Sequence, residues 1–98
     1  PVLIGEINTG KWGFIDKEGK IVINSRFDWV RSFSEGLAAV RIGDYQTGKW
    51  GFIDRKGDFV INPQFDSAGD FFEGLVSVRI GDKFGVIDKT GKFVYLEQ

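Results

Sequence analysis

The chain has 98 residues, 42% hydrophobic and 28% charged, with 13 basic and 14 acidic side chains and a formal net charge of −1. That is the composition of one ordinary globular domain, able to bury roughly 60–65% of the surface its unfolded form exposes. It contains 14 Gly and 15% aromatic residues but no Cys, His or Met, which excludes disulfides, thiolate nucleophiles, cysteine-based zinc sites and histidine general bases.

The expected elements are strands throughout. In chain order they fall at 2–5, 11–16, 20–24, 37–42, 49–54, 58–62, 75–80, 83–88 and 92–96. In 37–42, Ala38, Val40 and Ile42 share one face and Leu37, Ala39 and Arg41 the other; Val76, Val78 and Ile80 repeat the pattern. In 49–54, Trp50 and Phe52 share a face and Gly51 and Ile53 take the opposite one. Between 11–16 and 20–24 lies D-K-E-G-K, and D-R-K-G-D at 54–58 and D-K-T-G-K at 88–92 stand at the same place. Asp caps such a turn and Gly three residues on supplies the positive φ of a type I turn closed by a bulge. Segments 25–36 and 63–74 each carry two Phe, end in Glu-Gly, and read as crossovers whose Phe27, Phe33, Phe65 and Phe71 plug the space between units. No window of the chain shows an apolar stripe at helical spacing.

The elements repeat. KWGFID stands at 11–16 and 49–54, with KFGVID at 83–88, and residues 11–44 match 49–82 without a gap at 21 of 34 positions, a period of 38. The third interval is shorter because Tyr45-Gln46-Thr47-Gly48 has no counterpart after Asp82; IGEINTGKWG at 4–13 matches IGDYQTGKWG at 42–51, so the first unit is expected to keep the long connection. A fixed period of this size marks an array whose units bury their apolar faces on one another. The reading is all-β: about three tandem three-stranded antiparallel units (1–24, 37–62 and 75–98) in a single repeat domain, propeller-blade-like or solenoid.

Taken together, KWGFID, D-x-x-G, V-I-N-P-Q-F-D and F-x-E-G-L-x-x-V resemble the WG-containing repeat of bacterial proteins over nearly the whole chain. The resemblance implies an all-β, propeller-like fold and carries no common activity or catalytic residue. Phe84 replaces Trp in the third unit, Asn24-Ser25-Arg26 replaces Asn-Pro-Gln in the first, and Tyr95-Leu96-Glu97-Gln98 abandons N-P-Q-F-D, as a terminal cap would.

Glycine inside a strand weakens it unless something approaches its bare face. A ring laid over Gly13, Gly51 and Gly85, with Trp12, Trp50 and Phe84 filling a core on the opposite face, meets that requirement; the alternative sets those three rings along a groove for a flat ligand such as a sugar. Asp16, Asp54 and Asp88, even with Glu18 and Asp58 nearby, lack the spacing of a calcium loop and read as turn caps. Glu35 and Glu73 are one period apart on equivalent crossovers, so they are structural duplicates rather than a catalytic pair. No cofactor, metal or catalytic residue is expected, and the chain reads as non-enzymatic. Lys and Arg alternate with Asp and Glu, which argues against nucleic acid as a partner. No apolar run approaches the length of a membrane span, so no membrane partner is expected either.

Positions that differ between matching units report on partners, because packing common to all units does not demand them. Trp29 and Arg31 stand where the second unit has Ser67 and Gly69, Phe72 where the first has Ser34, and Tyr45 in a connection the third unit lacks. Rings and Arg are enriched at binding hot spots. Trp29, Arg31, Tyr45 and Phe72 are therefore the expected binding surface of a protein- or ligand-binding module. The alternative is a structural role, in which open β edges drive homo-oligomerisation into a larger array or ring.

Overall fold

The D-x-x-G turn forms in the same way three times. Asp16 Oδ1 accepts from the N–H groups of Glu18 and Lys20, Asp54 Oδ1 from Lys56 and Asp58, and Asp88 Oδ1 from Thr90 and Lys92. Gly19, Gly57 and Gly91 adopt φ of +84°, +92° and +90°, where a Cβ would be strained. The computed structural model describes residues 3–7, 11–16 and 18–98. Val2 of the expected first strand, the 8–10 connection and Lys17 of the first turn lie outside the described residues.

Each turn joins two strands of an antiparallel sheet, and there are three such sheets in tandem. The first is β1 (Leu3–Ile7), β2 (Lys11–Ile15) and β3 (Ile21–Phe27) in that order. The second runs β4 (Trp29–Val30), β5 (Ala38–Ile42), β6 (Lys49–Ile53) and β7 (Phe59–Phe65); the third runs β8 (Ser67–Ala68), β9 (Leu75–Ile80), β10 (Lys83–Asp88) and β11 (Phe93–Leu96). The chain is all-β and repetitive, as its period demands.

Two features depart from the expected nine strands. The crossovers are not irregular throughout: Trp29–Val30 pairs with Arg41 and Val40, and Ser67–Ala68 with Arg79 and Val78, so each adds a short fourth strand to the sheet that follows. In addition, β3 and β7 continue past Asn24 and Asn62 to Phe27 and Phe65. In β7 this is possible despite Pro63 because the strand is bulged there. Trp50 pairs with Phe65 but Phe52 with Ile61, so two extra residues are accommodated opposite Gly51. Proline lacks a ladder donor and is tolerated at a bulge.

That bulge is also why Trp is followed by Gly. A Cβ on Gly51 would lie 2.6 Å from Ile61 O, 2.7 Å from Pro63 N and 2.9 Å from Asn62 C. The close approach is backbone, not the ring expected from the sequence. β2 and β3 carry the same shift, with Trp12 opposite Phe27 and Phe14 opposite Ile23. In the third sheet, where N-P-Q is absent, the expected ring does approach, Phe93 Cε1 lying 2.7 Å from a Cβ on Gly85, but Phe84 is exposed rather than filling a core.

Two cores hold the row together. Phe14, Ile23, Phe27, Val30, Ala38, Val40 and Ile53 pack between the first and second sheets. Ala39, Phe52, Ile61, Phe65, Phe71, Val76, Val78 and Ile87 pack between the second and third. Alternation along β5 thus places Ala38 and Val40 on one core and Ala39 on the other, so the central sheet is covered on both faces. Rings cross each junction, Phe59 against Phe27 and Phe93 against Phe65. Phe33 and Phe71 from the crossovers pack on Phe14 and Phe52 respectively, as plugs of the space beside each sheet.

Polar contacts repeat with the same step. Glu35 and Glu73 have φ of +55° and +52° and are each followed by a positive-φ glycine. Each Glu-Gly pair closes a tight hairpin, Ser34 on Leu37 and Phe72 on Leu75. The Glu35 carboxylate accepts from the N–H groups of Glu73 and Gly74, joining the two hairpins. One equivalence breaks: Ile7 pairs with Lys11, whereas Ile42 pairs with Lys49, so the first hairpin is shorter than its match to 42–51 implies.

Candidate binding groove

A row of side chains crosses the second sheet at its hairpin end. Register places Trp29 of β4 beside Arg41 of β5, Arg41 beside Trp50 of β6, and Trp50 beside Phe65 of β7. The corresponding row of the third sheet is Ser67, Arg79 and Phe84. Where the two rows meet there is an open groove of about 770 Å³, lined by Trp29, Arg41, Tyr45 and Trp50 on one side and by Asp66, Ser67 and Arg79 on the other. Gln46 completes the lining.

The scaffold fixes the charged groups. Lys49 Nζ lies 2.5 Å from Asp66 Oδ1, and Asp66 Oδ2 accepts from Gly81 N at 2.7 Å. These contacts, the Gly81 N–H first and the Lys49 ammonium second, hold the Asp66 carboxyl below the ordinary aspartate value, so it is an anion at neutral pH. Lys11, Asp28 and Gly43 make the same clamp one unit earlier, with the Lys11 bond the larger cause of the lowered Asp28 pKa. The guanidinium groups are anchored alike: Arg41 Nε donates to Gly43 O and Arg79 Nη1 to Gly81 O. Tyr45 stands on the connection built by Asp44, which accepts from Gln46 N, Thr47 N and the Thr47 hydroxyl.

The four residues singled out from the sequence do not share one groove. Trp29 and Tyr45 line the groove just described and are 46% and 86% exposed. Arg31 is exposed and makes two hydrogen bonds to the Asp70 carboxylate. Phe72, 73% exposed, lines a shallower depression of about 380 Å³ with Asp70, Leu75 and Val86. Of the WG rings, Trp12 and Trp50 are half-buried against the two cores, and Phe84 is exposed beside Tyr95. Arg41, Trp50, Asp66 and Arg79 were not marked by unit-to-unit differences because they belong to the repeat; only register shows that they meet. The Asp residues of the turns act as caps, and among the described residues no cluster of three metal-ligating side chains forms.

The two junctions differ by a ring on one wall, and on the other by the strand partner of the WG tryptophan, Glu6 beside Trp12 but Arg41 beside Trp50. At the first, Trp29 packs edge-on to Trp12, with ring centroids 5.1 Å apart and planes at 67°. At the second, the residue in the place of Trp29 is Ser67, and the space beside Trp50 is open.

An all-β row of sheets built on one repeated hairpin unit, with a groove at a junction, defines a tandem-repeat protein. The chain belongs to the WG containing repeat family, whose model matches residues 12–45 and 50–84. No curated protein and no solved structure matches it.

Proposed function

We propose that this repeat module is a non-catalytic binding domain, and that the junction groove between the second and third sheets is its site. The observation that carries the reading is the convergence of Trp29, Tyr45 and Trp50 with Arg41 and Arg79 around one opening. Aromatic rings and guanidinium groups are the side chains through which interfaces gain most of their energy. Hydrogen bonds that recur with the repeat position the charged groups: both Arg are tied to glycine carbonyls and Asp66 to Lys49. The test is the indole N–H resonances of Trp29 and Trp50 during titration with short peptides and with oligosaccharides. Saturable shifts of both from at least one probe class support the reading; unchanged resonances with every probe refute it.

A second reading, self-assembly, is favoured by a different observation. β11 is an outer strand of the third sheet, and its Val94, Tyr95 and Leu96 are 55%, 54% and 40% exposed. An apolar outer strand is a template for pairing. Light scattering decides: a concentration-dependent dimer or trimer supports assembly, and a monomer at high concentration removes it.

A further inference from the structure

The repeat supplies its own image of what the groove is shaped to hold. Offset by 38 residues, Trp12 corresponds to Trp50, Asp28 to Asp66, Lys11 to Lys49, Arg41 to Arg79 and Trp29 to Ser67. The wall formed by the following sheet agrees in its surroundings too: the Lys–Asp–Gly clamp, the Arg-to-glycine bond and the short fourth strand are present at both junctions, whereas on the facing wall Arg41 pairs with Trp50 where Glu6 pairs with Trp12. What the second junction lacks is the ring. At the first, the indole of Trp29 occupies the position over Trp12. At the second, the smaller Ser67 stands in that place, and Ser67 and Trp50 both line an opening.

We infer that the groove over Trp50 receives an aromatic side chain of a partner peptide, seated against Trp50 as Trp29 is seated against Trp12, with an acidic residue beside it in the peptide. This rests on the groove being the binding site. The ring is assigned from the internal copy, since edge-to-face aromatic pairs are favourable beyond the area they bury. The acidic neighbour is assigned from charge: the lining carries two guanidinium groups against the single carboxylate of Asp66, which is already paired with Lys49. Asp28 and Asp44 attract Arg41 and Asp66 attracts Arg79, but each of these carboxylates makes its hydrogen bonds to other groups, Asp28 to Lys11 and Gly43, Asp44 to Gln46 and Thr47, and Asp66 to Lys49 and Gly81. Both guanidinium groups keep N–H donors beyond the one each gives to glycine, suited to a carboxylate.

The experiment titrates the protein with three blocked tripeptides, Asp-Trp-Asp, Ser-Trp-Ser and Asp-Ala-Asp, following the Trp50 indole N–H. Asp-Trp-Asp is expected to bind at least about ten-fold more tightly than Asp-Ala-Asp, the difference made by burying one ring. It is also expected to bind more tightly than Ser-Trp-Ser, with an advantage that fades as salt rises from about 50 to about 500 mM. In the Ser67→Trp variant, the new ring is expected to fill the groove and weaken Asp-Trp-Asp by about ten-fold or more. Should that variant not fold, intermolecular NOEs in the wild-type protein give the same answer: contacts between the peptide indole and the Trp50 ring are required. Equal binding of Asp-Ala-Asp, undiminished binding to folded Ser67→Trp, or NOEs to another site overturns the ring assignment. Equal, salt-independent binding of Ser-Trp-Ser overturns the acidic neighbour. Oligosaccharides that shift Trp50 where the tripeptides do not would overturn this inference alone, whereas silence from every probe would overturn the groove as a site.

Discussion

Gly51→Ala is the substitution on which the account of the WG dipeptide stands. The added Cβ would meet three backbone atoms of the bulge, Ile61 O at 2.6 Å, Pro63 N at 2.7 Å and Asn62 C at 2.9 Å. None belongs to a flexible side chain, so relief requires moving β7 and with it Ile61 and Phe65, both in the core. Overpacking of this kind costs about 1–3 kcal/mol and sometimes more. Alanine also restricts the unfolded chain, returning about 0.5–1 kcal/mol. Because all three contacts are with backbone, the upper half of that range applies, about 2–3 kcal/mol, and the net loss is about 1–2.5 kcal/mol, which for a domain of this size lowers Tm by roughly 5–20 °C. Gly85→Ala provides the internal control: the nearest atom is the edge of the Phe93 ring, which can rotate, and the nearest backbone atom, Tyr95 O, is at 3.2 Å. Its loss is expected to be smaller. Thermal unfolding of both variants, followed by circular dichroism, is sufficient; a Gly51→Ala protein as stable as wild type, or less affected than Gly85→Ala, would refute the bulge as the reason for the glycine.

Two further predictions concern stability. Hydrogen bonds to the ionised form hold the carboxyl groups of Asp28, Glu35, Asp44, Asp66 and Asp88 below their ordinary values, the largest cause being Lys11 for Asp28, the Gly74 N–H for Glu35, the Thr47 N–H for Asp44, the Gly81 N–H for Asp66 and the Thr90 hydroxyl for Asp88. Folded values below unfolded ones mean that the unfolded chain takes protons first; the stabilisation is complete above the ordinary 3.8 of Asp and 4.5 of Glu and is lost as pH falls through the lower folded values. Tm is therefore expected to be nearly flat above about pH 5 and to fall below about pH 4, and Asp28→Asn with Asp66→Asn should make the acid limb shallower; an unchanged limb would contradict the clamps. Separately, Phe72→Ser should leave stability within about 0.5 kcal/mol, whereas Trp29→Ser should cost about 0.5–1.5 kcal/mol through its lost contact with Trp12. Chemical denaturation measures both, and equal losses would contradict their different surroundings.

Much of the fold was legible because the sequence repeats. Asp16, Asp54 and Asp88 with their glycines announced the turns, and alternation in 37–42 separated Ala38 and Val40 from Ala39 correctly, as their two cores show. What misled was local chemistry that only a partner strand explains. Pro63 reads as the end of a strand, yet it sits in a bulge that Gly51 makes room for. Trp29–Val30 and Ser67–Ala68 are too short to declare themselves as strands; they exist because Val40 and Val78 offer ladder partners. The groove was half visible. Comparing units drew attention to Trp29, but its significance lies at Ser67, where a smaller side chain stands beside an opening that the half-buried Trp50 lines. Sequence comparison marks residues that are present and says little about space that is not filled.

The most direct test of the account is a crystal structure of Ser67→Trp. The new indole is predicted to lie edge-on against Trp50, close to the 5.1 Å and 67° that relate Trp29 to Trp12, with the three sheets undisturbed. A ring turned out to solvent, or a junction that rearranges to exclude it, would show that the opening beside Trp50 is not the counterpart of the space Trp29 fills beside Trp12.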